Sequence, residues 1–210
     1  MVANQIDTLL ANYVAGVLPT PVRVLVESHL QLKPGNRAIT DVLENMAGEA
    51  LDDFEAEELS DRNALLKSVL SSSAPAVAAP RERQAGVFPP ALRDYLGFDL
   101  DRVPWKTRLP GYRSHDLGEV DGLHVSLFSF RPNRVVPAHT HSGTELSLVL
   151  GGGFSDELGH YAAGDISIAD AEVDHRPVAD PGEPCIGFQV IEGPLKLTGP
   201  FVQRLRDLIG

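Results

Sequence analysis

Apolar positions in the first 70 residues recur at helical spacing. Asp7 can cap a helix running from Thr8 through Leu9, Leu10 and Tyr13 to Ala15, with Gly16 as its stop. Pro19 and Pro21 punctuate the next start. Val22, Leu25, Val26 and His29 then fall on one stripe, which Lys33-Pro34-Gly35-Asn36 breaks. A third segment from about Arg37 carries Ile39, Val42, Leu43, Met46 and Ala50, and a fourth, short helix is predicted over residues 62–70. Helices this small bury little apiece, so they must pack together or against a partner.

Residues 71–88 change character. Ser71-Ser72-Ser73, Pro75, Pro80 and an alanine-rich filling provide few core anchors and predict a linker. From Pro89 the pattern reads as β. Residues 123–130 alternate in part, while 145–150, 165–169 and 185–191 are short apolar runs between glycines and prolines. Such strands predict a small antiparallel barrel or sandwich. Gly151-Gly152-Gly153 lacks the Lys-Ser/Thr of a phosphate loop and reads as a hairpin turn. Phe201, Leu205 and Ile209 have helical spacing and predict a terminal helix packed on the barrel. The expected fold class is α+β: a helical bundle over residues 1–70, a linker over 71–88 and a β-barrel over 89–210.

Composition narrows the function. The 210 residues are 43% hydrophobic, enough for a packed core, and carry a net charge of -11. That charge argues against direct nucleic-acid binding and against docking on anionic lipid. No apolar run approaches a membrane span, and the first residues do not read as a leader. With one cysteine, Cys185, no internal disulfide can form. A cytoplasmic protein is the expectation.

The candidate chemistry lies in residues 136–177. His139 and His141 point the same way from an extended strand, and Glu145 keeps that parity if the strand continues. His175 must return from another strand. Three imidazoles and one carboxylate suit one divalent metal: zinc first, with iron, manganese or nickel as alternatives. His139, His141, Glu145 and Gly152 reproduce the spacing of the first motif of the cupin superfamily, and Gly164 and His175 that of the second. Asn133 holds the leading glycine position and tolerates left-handed backbone. Asp170, Glu172 and Ala179 replace the family's Pro, Gly and Asn. The resemblance implies a double-stranded β-helix with all four metal ligands.

A helical domain followed by a cupin also resembles the ChrR-type anti-sigma factors, over nearly the whole chain. Residues 9–19 resemble that family's first helix and turn, and Ser28-His29-Leu30 the start of its zinc motif, His-x3-Cys-x2-Cys. Here the cysteine positions hold Lys33 and Asn36, and the upstream histidine falls near Asn4. Only His29 survives as a ligand, so no zinc is expected in the N-terminal domain. The resemblance implies a transcriptional regulator that holds an extracytoplasmic-function sigma factor through its N-terminal helices. It also implies that the cupin senses a stress signal, oxidative or small-molecule. A homodimer is left open. The alternative is a metal-dependent cupin enzyme, dioxygenase-like or otherwise.

Other candidates read more plainly. His29 on its apolar stripe is otherwise a packing histidine. Cys185 sits in an apolar strand and reads as a core thiol, with a redox thiol near the metal as the minority reading. His115, His124 and His160 have no partners at motif spacing. Residues 49–61 hold seven acidic and no basic residues, a solvated face that could meet a basic partner. The predicted sigma-binding surface draws on Leu9, Leu10, Tyr13, Val22, Val26, Leu65, Leu66 and Val69.

Overall fold

The computed structural model describes residues 2–73 and 86–209. It begins with α1 (Val2–Val14), which stops at Gly16 in the left-handed region, φ +71°. Pro21 opens α2 (Thr20–Leu32), in the first turn where a missing N–H costs no helical bond. A single 3-10 turn (Pro34–Asn36) separates it from α3 (Arg37–Leu51). Asp61 caps α4 (Arg62–Ser71), its carboxylate accepting from the Ala64 N–H at 3.1 Å.

The expected switch to β at residue 89 is corrected by α5 (Pro90–Leu96). Pro90 starts it, Gly97 ends it at φ +77°, and Leu92 is wholly buried. Seven residues are two turns, too few for a periodic signal.

Eleven strands follow: β1 (Lys106–Leu109), β2 (Tyr112–Val120), β3 (Leu123–Phe130), β4 (His139–His141), β5 (Glu145–Gly151) and β6 (Gly153–Ser155). Then come β7 (His160–Ala162), β8 (Ile166–Ala169), β9 (Val178–Ala179), β10 (Cys185–Ile191) and β11 (Leu195–Leu197). The chain closes with α6 (Phe201–Ile209). All pairings are antiparallel. One sheet runs β1-β2-β3-β10-β5-β8, a second β7-β6-β9, and β11 pairs with β4. The triglycine is therefore not a hairpin turn. Gly152, at φ +65°, carries the chain from the large sheet to the three-stranded one. A Cβ there would lie 2.5 Å from the Pro184 carbonyl oxygen, so the bend needs glycine for space as well as for φ.

Strand parity divides the side chains of the large sheet between two cores. Leu146, Leu148, Val125, Leu127, Phe188 and Val190 belong to the core that includes the helices. Val149, Phe128 and Cys185 join Phe154, Tyr161 and Ala179 in the other, inside the barrel. Both faces are covered, which is why these strands read as continuous apolar runs rather than as alternation.

The boundary near residue 70 is not followed by the hydrophobic core. Leu9, Leu10, Val22, Leu25, Val26 and Leu30 share one core with Leu146, Leu148, Ile166 and Ile168 of the sheet. Full burial of each such side chain is worth about 1.5–3 kcal/mol. Polar contacts fix the docking: the Thr20 N–H donates to Asp121 at 2.9 Å and the Ala91 N–H to Gln31 at 3.0 Å. Of the expected linker, Ser71 ends α4 and Phe88 is buried, its N–H bonded to Asp99 at 2.9 Å. Residues 74–85 of that stretch lie outside the described residues.

Four of the expected sigma-binding residues, Leu9, Leu10, Val22 and Val26, are thus core. Helix α4 is the opposite case: all ten of its residues are exposed, Leu65, Leu66, Val69 and Leu70 among them.

Candidate metal centre

The four expected ligands converge. One ligand atom from each of His139, His141, Glu145 and His175 lies within 4.8 Å of the others, and all four residues are buried. His139 and His141 share a face of β4, as the i, i+2 spacing requires. Glu145 arrives differently from the expectation. The strand does not continue: β4 pairs with β11, and after a turn Glu145 opens β5 in the large sheet. The carboxylate therefore meets the imidazoles across the barrel, not along one strand. His175 stands opposite His139, each N–H bonded to the other's carbonyl at 3.0 Å.

The substituted cupin positions hold their turns by other means. Asn133 takes the left-handed conformation at φ +59°. The Asp170 side chain accepts from the Glu172 N–H at 3.0 Å and its carbonyl from the Val173 N–H at 3.1 Å, without positive φ at either position.

The donor set suits a cation. His139 Nδ1 donates to the Pro137 carbonyl at 2.7 Å, and His175 Nδ1 donates to Asp156 at 2.9 Å. Those bonds take the Nδ1 protons, so both Nε2 atoms carry lone pairs, and they face each other at 3.0 Å. Two facing acceptors need a proton or a metal between them. His141 Nε2 and Glu145 Oε2 are also 3.0 Å apart, yet neither has an aligned hydrogen-bond partner. Orphaned buried groups cost about 1–3 kcal/mol each, more when charged, and a shared cation removes that cost.

The charges are arranged to match. Burial opposes ionisation of Glu145, but adjacent His141, then His175 and His139, outweigh it and hold its carboxyl below the usual range. Burial, then the neighbouring His175, keeps His139 below the ordinary imidazole value. Burial acts downward on His175 too, but Asp156 and the nearby Glu145 and Glu157 carboxylates lift it above that value.

Asp156 was not legible in the sequence. It lies on the turn between β6 and β7, outside both motifs, with its side chain fully buried against His175. A carboxylate behind a ligating histidine fixes the ring and raises its basicity. The remaining candidates behave as packing or surface groups. His124 and His160 sit near Asp116 and Asp180 at the surface, and His115 packs on Phe98. Burial pushes the Cys185 thiol up to about 12, so it stays protonated at neutral pH.

Both ring nitrogens of His29 are hydrogen-bonded. Its Nδ1 donates to the Gly164 carbonyl at 2.6 Å, and its Nε2 accepts from Asn36 at 2.9 Å. Lys33 reaches Asp165 at 3.2 Å. The residues at two family zinc positions thus bind His29 and the barrel.

Fold and site together define a cupin with a buried three-histidine, one-glutamate cluster and helices docked on its outer sheet. Residues 95–195 match the family described as the ChrR cupin-like domain. The anti-sigma-E factor ChrR of Cereibacter sphaeroides is 35% identical over 201 residues, covering 95% of this chain and 93% of that one. The crystal structure of Rhodobacter sphaeroides SigE in complex with the anti-sigma ChrR matches with a TM-score of 0.73 and 34% identity, over 89% of this chain and 96% of that one. The chain belongs to the ChrR family of anti-sigma factors. Among the described residues no helix is long and apolar enough to cross a membrane.

Proposed function

We propose that this chain is a cytoplasmic anti-sigma factor that holds an extracytoplasmic-function sigma factor through α3 and α4, with the cupin as its sensing part. The observation that carries the reading is the exposure of α4. A ten-residue helix is marginal alone in water, and here Leu65, Leu66, Val69 and Leu70 all face solvent. On α3, Val42 and Met46 are exposed as well. A partner that covers these side chains supplies the missing burial. The relative's recorded complex with SigE supports a sigma factor in that role. Helices α1 and α2 remain on the barrel, so the partner meets only the outer half of the helical segment. The acidic residues 49–61, all exposed, suit a basic partner surface. The net charge of -11 suits regulation through protein contacts rather than direct DNA contact.

His139, His141, Glu145 and His175 would hold one divalent metal, for which zinc fits the three-nitrogen, one-oxygen donor set. When bound, the ion supplies a positive centre that joins β4, β5 and the segment carrying His175. Asp156 orients His175, and the Pro137 carbonyl orients His139. No zinc is proposed for the N-terminal helices, because His29 and Asn36 satisfy each other. A cavity beside the cluster favours a second reading, a cupin enzyme acting on a small molecule.

Capture separates the two. The full chain is co-expressed with each extracytoplasmic-function sigma factor of its own cell, and the complex and its metal are measured on one sample. A stoichiometric sigma complex is expected. If none is captured and the metal-loaded chain turns over a small substrate, the enzyme reading stands instead.

A further inference from the structure

The barrel encloses a cavity of about 300 Å³ beside the ligand cluster, with His139 and Glu145 in its wall. Most of the remaining wall is hydrocarbon, including Phe128, Phe130, Val136, Phe154 and Leu197, with Leu208 from α6. Arg134 is the exception. It is 3% exposed, and its Nη2 donates to the Leu208 carbonyl at 3.2 Å, while its Nη1 is buried without a hydrogen-bond partner. The Asp207 carboxylate, which bears on Arg134 electrostatically, is already engaged by two bonds from Arg176, at 2.8 and 2.6 Å. Arg131 adds like charge nearby. The other side-chain polar groups of the wall belong to Tyr112, Ser147 and Gln189, and Ser147 already donates to Glu145 at 3.2 Å. Arg134 thus lines the cavity with one buried guanidinium N–H left unpaired just behind its wall, which is costly unless an anionic acceptor enters.

We infer that the cavity binds a small amphipathic carboxylic acid, its hydrocarbon part against the phenylalanines and its carboxylate accepting from Arg134 Nη1. This rests on the sensing reading of the barrel and names the class of ligand it would sense. A neutral molecule of the same shape would fill the hydrocarbon wall but leave Nη1 unpaired. A bidentate-capable guanidinium distinguishes the two where a hydrocarbon wall cannot.

The test is calorimetric titration of the metal-loaded full chain with octanoate and with 1-octanol. Octanoate is expected to bind at least about tenfold more tightly. In Arg134→Gln the ratio should fall towards one with metal content unchanged, and Arg134→Lys should keep part of it. In chelated wild-type protein the preference should persist. Equal affinity of the two probes for the wild type, or binding of neither, overturns the proposal. So does a preference that survives in Arg134→Gln but disappears on chelation, since the metal would then be reading the carboxylate. Should Arg134→Gln not fold, the wild-type ratio with and without chelator, together with Arg134→Lys, still decides. Capture of a sigma factor without either probe is measured on the same preparation. Its failure would count against the regulator and leave the ligand assignment standing.

Discussion

His139 and His175 exchange both main-chain hydrogen bonds at 3.0 Å while their Nε2 atoms stand 3.0 Å apart. The backbone pair fixes the distance between two of the four ligands before any ion arrives. The site is therefore pre-formed by sheet pairing, and metal binding should follow ligand identity closely. Elemental analysis should find one divalent ion per wild-type chain and very little in His141→Ala. Equal metal in the two proteins would remove the site.

Asp156 holds the His175 ring by its Nδ1 proton and would act through it on a metal bound at the cluster. Replacing it by Asn keeps the shape but weakens the acceptor for the Nδ1 proton. A loss of about 10–100-fold in metal affinity is expected, as for other outer partners of ligating histidines. Competition with a chromophoric chelator measures it. Unchanged affinity in Asp156→Asn would show that the contact only fills space.

The legibility of the chain followed from the range of each signal. His139, His141, Glu145 and His175 were readable because strand parity and motif spacing act over short stretches. Helices α2, α3, α4 and α6 were readable because apolar stripes and punctuating residues are local. The docking of α2 was not, because the apolar stripe of Val22, Leu25 and Val26 looks the same whether it meets a helix or a sheet. Asp156 was hidden because its partner lies 19 residues away, outside any fixed spacing. The route of Glu145 was not legible for a related reason: parity holds only while one strand continues, and the chain changes sheets between His141 and Glu145.

The shared core makes the helices and the barrel one cooperative unit. Leu25 is wholly buried between them. Leu25→Ala should destabilise by about 2–5 kcal/mol and move helical and barrel signals together in one denaturant transition. Separate transitions, with only the helical one shifted, would restore two independent cores.

His29 gives the docking a pH dependence. Burial, opposed by the Gly164 bond and the Asp165 carboxylate and assisted by Lys33, holds its pKa below the ordinary 6.5. The folded state therefore favours the neutral ring, and the unfolded chain takes up the proton more readily. Stability from this group is complete above about pH 6.5 and declines as pH falls through the lowered folded value. The difference in unfolding free energy between wild type and His29→Asn should shrink from pH 7.5 to pH 5. A constant difference would mean that the imidazole charge plays no part. The Lys33–Asp165 pair, more than a third exposed on each side, should add less than about 1 kcal/mol.

The central claim is that α4 is the exposed apolar surface a sigma factor covers. The direct measurement is the affinity of the full chain for its captured sigma factor, with and without Leu66→Glu. Leu66 is 46% exposed and supports no core, so the variant should fold and keep its metal. Its binding should weaken by more than about 1.4 kcal/mol, tenfold in Kd. Unchanged affinity in Leu66→Glu, with sigma still bound, would place the partner elsewhere and contradict the account.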